Sequence, residues 1–179
     1  MFERLLVPLD GSQFSECSLD KVKAVALGCK VGDVILLSVV EPLTASDSAT
    51  LAQARGSWGV RGEHTKEVEG TLINHADYAD HSLEHMGEKR SMSEAYLAEI
   101  ARRLAKEGIA ARGEVVVGKA AETILDYADK HKVDLIVMST HGRSGISRWA
   151  FGSVADKVAR LAAVPLLLVP PAGCRAPIV

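Results

Sequence analysis

The chain has 179 residues, 47% of them hydrophobic and 25% charged, so it can bury a sizeable core, and this composition excludes wholesale disorder. Its formal charge of −2 lacks the basic excess expected of a surface that binds nucleic acid or anionic membrane. Apolar runs stay shorter than the roughly 20 residues that span a bilayer, and no signal-peptide layout occurs. The three cysteines show no C-x-x-C spacing. We therefore expect a cytoplasmic protein with no membrane span, nucleic-acid partner or disulfide framework.

Short apolar runs that stop at turn residues predict buried strands. The first, "RLLVPL", ends at "DGS", and the second is closed by Pro42, which cannot donate a hydrogen bond to a sheet. The predicted strands are 4–9, 33–42, 113–118, 133–140 and 164–170.

Apolar residues at helical spacing predict the connections between these strands. Gly28 stands where the first helix should end, and Gly108 stands just past the second. Ser91 and Glu94 have capping-box spacing and predict the start of that second helix. The predicted helices are 15–27, 93–107, 121–128 and 153–163.

The order of elements predicts the fold class. It reads β-α-β, an insertion, then α-β-α-β-α-β, and the strands are apolar throughout rather than alternating, as in strands buried on both faces. We expect a single doubly wound α/β domain: a mainly parallel, five-stranded, Rossmann-like sheet with helices on both faces. This domain should span 1–170, with an insertion at about 44–91 between the second strand and the second helix and a tail at 171–179.

The carboxyl ends of the strands predict a ligand site. Right-handed crossovers bring those ends to one edge of the sheet, where open α/β sheets bind ligands at the point at which strand order reverses. The strand ends place two carboxylates at this edge, together with Val39 and Met138 as apolar walls for a flat base. The residues expected there are Pro8, Leu9, Asp10, Gly11, Ser12, Val39, Val40, Glu41, Met138, Ser139 and Thr140.

The segment "STHGRSGISRWAFGS" at 139–153 follows the fourth strand and leads into a helix. Glycines let backbone N–H groups approach an anion, and a helix N-terminus adds unpaired donors, so the segment favours phosphate binding. Arg143, Arg148 and Lys157 add local positive charge. An ordinary solvated loop is the alternative, since neither a Walker A motif nor a G-x-G-x-x-G motif occurs.

In these elements the sequence resembles the universal stress protein family over 1–43 and 93–170. The resemblance is carried by "VPLDGS" at 7–12, "VDLIVMSTHGRSG" at 133–145 and "VPLLLVP" at 164–170. The family's ATP-type signature is a glycine, two residues, a glycine, nine residues, then glycine with serine or threonine. Gly142 and the pair Gly152 and Ser153 fit that signature, whereas Ser139 stands where the pattern has its first glycine.

The resemblance implies ATP as the ligand, with Mg²⁺ accompanying it, or else AMP or another adenine nucleotide. Pro8 and Asp10 would border the base and ribose, Val39 would pack near the adenine, and Met138 and Ser139 would line the floor. Loop amides and a serine hydroxyl would hold the ribose and phosphates: Gly142, Arg143, Gly152, Ser153 and Val154. The family also implies a homodimer formed through the last strand, 165–169.

The long segment between Pro42 and Ser91 holds four of the six histidines. His81 and His85 share a face if the segment is helical, with Asp77 one turn earlier. His75, His81 and His85 are the candidate ligands of zinc or nickel, and a solvated helix face is the alternative.

Three functions remain open. The first is a stress-response or signalling protein that binds ATP and acts as a homodimeric switch. The second is a slow ATP hydrolase or nucleotidyl transferase on the same site, which would need a general base and metal ligands beside the phosphates. No carboxylate lies between Asp134 and Asp156, and this favours the first. The third is a metal-responsive module with a degenerate nucleotide site.

Overall fold

A computed structural model describes residues 2–42, 75–140 and 152–170 of the chain, with residues 75–85 described through their backbone. Helices and strands follow one another in the order that the sequence predicts, except that two helices instead of one lie between the first two strands. The elements are β1 Arg4–Pro8, α1 Gln13–Glu16, α2 Leu19–Cys29, β2 Asp33–Val40, α3 His75–Lys106, β3 Ala111–Val117, α4 Ala120–Lys130, β4 Leu135–Ser139, α5 Ser153–Leu161 and β5 Leu166–Val169.

The strands form one sheet with the order β3-β2-β1-β4-β5 in the described part of the chain. Each neighbouring pair is parallel; Leu6 of β1, for example, pairs with Ile35 of β2 and Ile136 of β4. The chain builds β2 and β3 on one side of β1 and then β4 and β5 on the other. This confirms the doubly wound sheet and places the reversal of strand order between β1 and β4.

Helices cover both faces of the sheet, as the continuous apolar strands predict. On one face, Leu97, Ile100 and Leu104 of α3 pack with side chains of α2 and with alternate residues of the central strands. On the other face, Ile124 of α4 and Val158 of α5 pack against the remaining strand residues. The central strands are buried, whereas the edge strands β3 and β5 are only half-buried.

Two helix boundaries differ from the prediction. The first predicted helix is divided into α1 and α2, and Gly28 lies inside α2. The chain instead leaves α2 at Lys30, which adopts a left-handed conformation with φ of 52°.

The predicted start of the second helix at Ser91 is wrong, because α3 begins at His75 and Ser91 lies within it. The carboxylate of Glu94 accepts a hydrogen bond from Arg90 Nε at 2.9 Å, one turn earlier on the same helix. Glu94 therefore makes an i,i+4 ion pair along a continuing helix instead of capping a new one.

The chain divides into two compact units, one made of Met1–Glu41 with Lys89–Val179 and the other of Pro42–Glu88. The sheet lies in the first unit. The predicted limits of the insertion, 44–91, and of the tail stay predictions, since most of both segments lie outside the described residues. Among the helices of the described residues, none combines the length and apolar character needed to cross a bilayer.

Asp134 fastens the starts of β1 and β4 together at the amino edge of the sheet. Its Oδ2 atom accepts backbone hydrogen bonds from Glu3 at 2.7 Å and Arg4 at 2.8 Å. These hydrogen bonds, that of Arg4 first, lower the pKa of the Asp134 carboxyl. Because the folded-state pKa is depressed, the charged carboxylate stabilises the fold above the ordinary aspartate pKa, and this contribution is lost as pH falls through the lower value.

We predict that Asp134→Asn lowers the free energy of unfolding at neutral pH, since the amide oxygen accepts the same hydrogen bonds without a charge. The deficit relative to wild type should shrink as pH falls below about 4, because the carboxylate of the unfolded wild-type protein is protonated there before that of the folded protein. Urea unfolding of both proteins across this range measures the deficit. A deficit that stays constant into strong acid would contradict the assignment.

Candidate functional site

The candidate site lies at the carboxyl ends of β1 and β4, where the strand order reverses. The pairing of Leu6 with Ile136, carried two residues further in the same register, sets Pro8 level with Met138. On the other side of β1, Pro8 pairs with Leu37 of β2, so Val39 lies two residues beyond it. The structure thus brings together the strand-end residues that the sequence selects.

The apolar members of this set share one face of the sheet. Val39 and Met138 both belong to the cluster covered by α4 and α5. Pro8 projects to the same face, because Leu6, two residues earlier on β1, packs in that cluster and side chains alternate along a strand. Met138 is buried, whereas Pro8 and Val39 are partly exposed. The three side chains thus lie on one face of the sheet, and the role of Val39 and Met138 as apolar walls for a flat base stays a prediction.

Asp10 organises the turn that leaves β1. Its Oδ1 atom accepts hydrogen bonds from the backbone amide of Ser12 at 3.0 Å and from the Ser12 hydroxyl at 2.6 Å. Gly11 between them has φ of 80°, a conformation that favours glycine. This is an Asx-type turn, which a "DGS" sequence favours. Asp10 is therefore a turn former, and its partly buried carboxylate is held at the crevice.

Ser15 is hydrogen-bonded to both Asp10 and Ser12 of the same turn. Its hydroxyl donates to the backbone oxygen of Ser12 at 2.8 Å and accepts from the amide of Asp10 at 3.4 Å. In return, the Ser15 amide donates to the hydroxyl of Ser12, the N-cap residue of α1, at 3.2 Å. Ser15 is 5% exposed. The backbone on which Asp10 stands is thus fixed by a closed set of hydrogen bonds, which we call the Asp10 turn (residues 10–15).

The start of α5 is held against the end of β4. The Gly152 amide donates a 2.7 Å hydrogen bond to the carbonyl of Thr140, whose own amide donates to Val169 of β5 at 3.0 Å. Gly152 is the N-cap residue and brings no capping side chain, so the first-turn amides of α5, including those of Ser153 and Val154, have no intrahelical acceptor. Such donors suit an anionic ligand. Gly142 and Arg143 lie outside the described residues.

Ser139 departs from the family pattern without backbone strain. It is the last residue of β4, and it is buried. Among the described non-glycine residues, the positive φ values belong to Lys30 and Lys132. The extended backbone at Ser139 is open to any residue, so the conformational cost that a glycine would avoid does not arise there.

Two charged residues near the site are engaged in structural contacts. Glu41 Oε1 accepts the backbone amide of Ala120 at 3.0 Å and so caps the N-terminus of α4. Lys157 Nζ donates to Glu122 Oε1 at 2.6 Å, which ties α5 to α4. This hydrogen bond lowers the pKa of Glu122. The positive charge of Lys157 is thus shared with a carboxylate.

The predicted metal ligands lie on α3. His75 is its first residue, and His81 and His85 follow within it, so the backbone has the helical spacing that the prediction requires. Their side chains are outside the description, and the metal site stays a prediction. Among the described side chains, no group of three or more His, Cys, Asp or Glu residues could hold a metal ion.

Sequence reasoning placed Ser12 at the crevice edge with Asp10 but missed Ser15 and Tyr96 as residues that support the site. The structure adds that Ser12 is the N-cap residue of α1 and bonds to Asp10 and Ser15. Neither Ser15 nor Tyr96 has a signal in the local sequence. Ser15 acts through the backbone of the turn, and Tyr96 contacts Glu16, which lies 80 positions earlier in the chain.

Comparison with known proteins agrees with this geometry. The model of the universal stress protein family matches residues 1–170. The chain is 27% identical over 170 residues to universal stress protein MJ0577 of Methanocaldococcus jannaschii, covering 94% of this chain and 95% of the relative.

Solved structures show the same fold. Universal stress protein UspA from Lactobacillus plantarum matches with a TM-score of 0.69 and 18% identity, covering 94% of this chain and 97% of that one. A universal stress protein family protein from Arabidopsis thaliana, solved with AMP bound, matches with a TM-score of 0.53 and 12% identity over 98% and 95% of the two chains. With a family model that spans all but nine of its residues, the chain belongs to the universal stress protein family.

Proposed function

We propose that this protein binds an adenine nucleotide, ATP in the first place, in the crevice between the carboxyl ends of β1 and β4, and acts as a homodimeric switch in a stress response. The observation that carries the proposal is the meeting of two features at the strand-order reversal: the Asp10 turn and the N-terminus of α5 tied to Thr140. The Arabidopsis structure with AMP bound supports an adenine ligand for this fold.

The two features divide the recognition of a nucleotide between them. The partly buried Asp10 carboxylate would accept hydrogen bonds from the ribose, beside the apolar side chains of Pro8, Val39 and Met138. The first-turn amides of α5 and the exposed Ser153 hydroxyl would face the phosphates, together with Gly142 and Arg143. The Mg²⁺ that accompanies ATP would neutralise part of the phosphate charge.

Binding is favoured over hydrolysis by the places and contacts of the two nearby carboxylates, Asp10 and Glu41. Glu41 caps α4, and Asp10 Oδ1 accepts two hydrogen bonds within its turn. A general base has to lie beside the phosphates, within reach of the attacking water, whereas the proposed place of Asp10 is at the ribose and Glu41 lies at the start of α4. A slow hydrolase or nucleotidyl transferase is therefore the less favoured alternative.

Isothermal titration with ATP, AMP and cyclic AMP, each with and without Mg²⁺, tests nucleotide binding. We expect saturable binding of at least one of them, and we expect Gly142→Val to weaken it by about tenfold or more, since a branched side chain keeps loop amides away from the phosphates. Gly28→Ala is the matched control, because a Cβ at Gly28 meets no atom within 4 Å. A wild-type protein that binds no adenine nucleotide would refute the proposal.

The homodimer is proposed through the last strand of the sequence prediction, residues 165–169, which contain β5. In the described sheet, β5 is an edge strand that pairs with β4 alone. The carbonyls of Pro165 and Val169 point toward β4, accepting from Ile136 and Thr140. Alternate residues of a strand point their backbone groups to opposite sides, so those of Leu166 and Leu168 point toward the open edge. An open edge of half-buried leucines suits pairing with a second copy.

We predict that Leu168→Pro converts the dimer to monomer in sedimentation velocity, because proline removes an N–H that points to the open edge. Leu168→Ala is the control: it loses the same side-chain packing, keeps the N–H, and should remain dimeric. A wild-type protein that sediments as a monomer, or a dimer that survives Leu168→Pro in a folded protein, would exclude this interface.

A further inference from the structure

The Asp10 turn is anchored to α3 through one carboxylate. Glu16, the last residue of α1, accepts a hydrogen bond from Tyr96 Oη on Oε1 at 3.3 Å and from Arg103 Nη1 on Oε2 at 3.4 Å. Both donors belong to α3. Because α1 is a single turn of four residues, it has little stability of its own, and its position depends on such tertiary contacts.

Tyr96 lies close enough to the Asp10 turn to respond to its charges. Burial raises the pKa of Tyr96 well above its usual range, and the charges of Glu16 and Asp10 raise it further, while the Ser15 hydroxyl opposes them. The phenol therefore keeps its proton and donates to Glu16 at every ordinary pH. The hydrogen bond to Glu16 places the phenol hydroxyl beside α1, directly after the Asp10 turn.

The hydrogen bonds form a continuous path from α3 to the crevice. Tyr96 holds Glu16, whose amide donates to the Ser12 carbonyl at 3.3 Å. The same carbonyl accepts from the Ser15 hydroxyl, which in turn accepts from the Asp10 amide. Each member of the path fixes the next, so a displacement of α1 would move the backbone that carries Asp10.

We propose that Tyr96 is a positioning residue for the ligand site: through Glu16 and Ser15, α3 sets the geometry of the Asp10 turn and thereby the affinity for the bound nucleotide. The affinity part of this inference rests on the proposed function, whereas the control of the turn by Tyr96 does not. Coupling is reciprocal, so a nucleotide that contacts Asp10 should in turn change the protection of α3 around 93–106.

Hydrogen exchange of the ligand-free protein tests the positioning directly. In Tyr96→Phe, the amides of residues 10–16 should exchange faster than in wild type, because the Glu16 carboxylate loses one of the two α3 donors described for it. The matched control is Tyr127→Phe: Tyr127 is buried, and its hydroxyl has no hydrogen-bond partner among the described residues, so its loss should leave 10–16 unchanged. Glu16→Gln keeps an oxygen for Tyr96 but cannot also accept from Arg103 on its amide nitrogen, so its exchange should lie between wild type and Glu16→Ala, which loses both donors and should exchange at least as fast as Tyr96→Phe.

Nucleotide affinity is the second readout. Tyr96→Phe and Glu16→Ala should weaken the Kd for the nucleotide that wild type binds by about 2- to 10-fold, the effect of one lost hydrogen bond. Tyr127→Phe should not change it. Unchanged exchange at 10–16 in Tyr96→Phe overturns the positioning role whatever the protein binds. Faster exchange in a protein that binds no nucleotide supports the positioning role while refuting the proposed function, so the two failures are distinguishable.

Discussion

The structure depends above all on the parallel pairing of β1 with β4. These two buried strands lie side by side, yet the chain leaves β1 toward β2 on one side and reaches β5 from β4 on the other. The connections after the two strands therefore diverge and leave a crevice between their carboxyl ends, as in other open α/β sheets. The residues that complete the gap have to come from the turn after β1 and from the loop and helix after β4.

The hydrogen bonds at the two ends of this gap serve different purposes. At the amino edge, Asp134 joins the starts of β1 and β4 and contributes to stability. At the carboxyl edge, the polar groups of the Asp10 turn satisfy one another, and the tie from Gly152 to Thr140 fixes the start of α5. The second set fixes the backbone of the Asp10 turn and the start of α5, the two features on which the proposed nucleotide site depends.

The fold could be predicted because its central strands are continuous apolar runs, a pattern that strands buried on both faces require. Strand ends then selected Pro8, Asp10, Val39, Met138 and Ser139 without further information. The start of α3 could not be predicted in this way, since Ser91 and Glu94 fit a capping box as well as they fit a helix interior, and the helix continues back to His75. The proposed role of Tyr96 could not be predicted either, because it depends on how α3 packs beside α1. No local spacing in the sequence encodes that packing.

The most direct test of the account is where an adenine nucleotide binds. Titration of the ¹⁵N-labelled protein with ATP and Mg²⁺, followed by amide chemical shifts, locates the ligand residue by residue. The account predicts the largest shift changes at the ends of β1 and β4 and at the start of α5, residues 8–15, 138–140 and 152–155. Changes centred on the amino edge instead, where a cavity of about 440 Å³ is lined by Phe2, Glu3, Arg4, Lys30, Gly32 and Asp33, would contradict it.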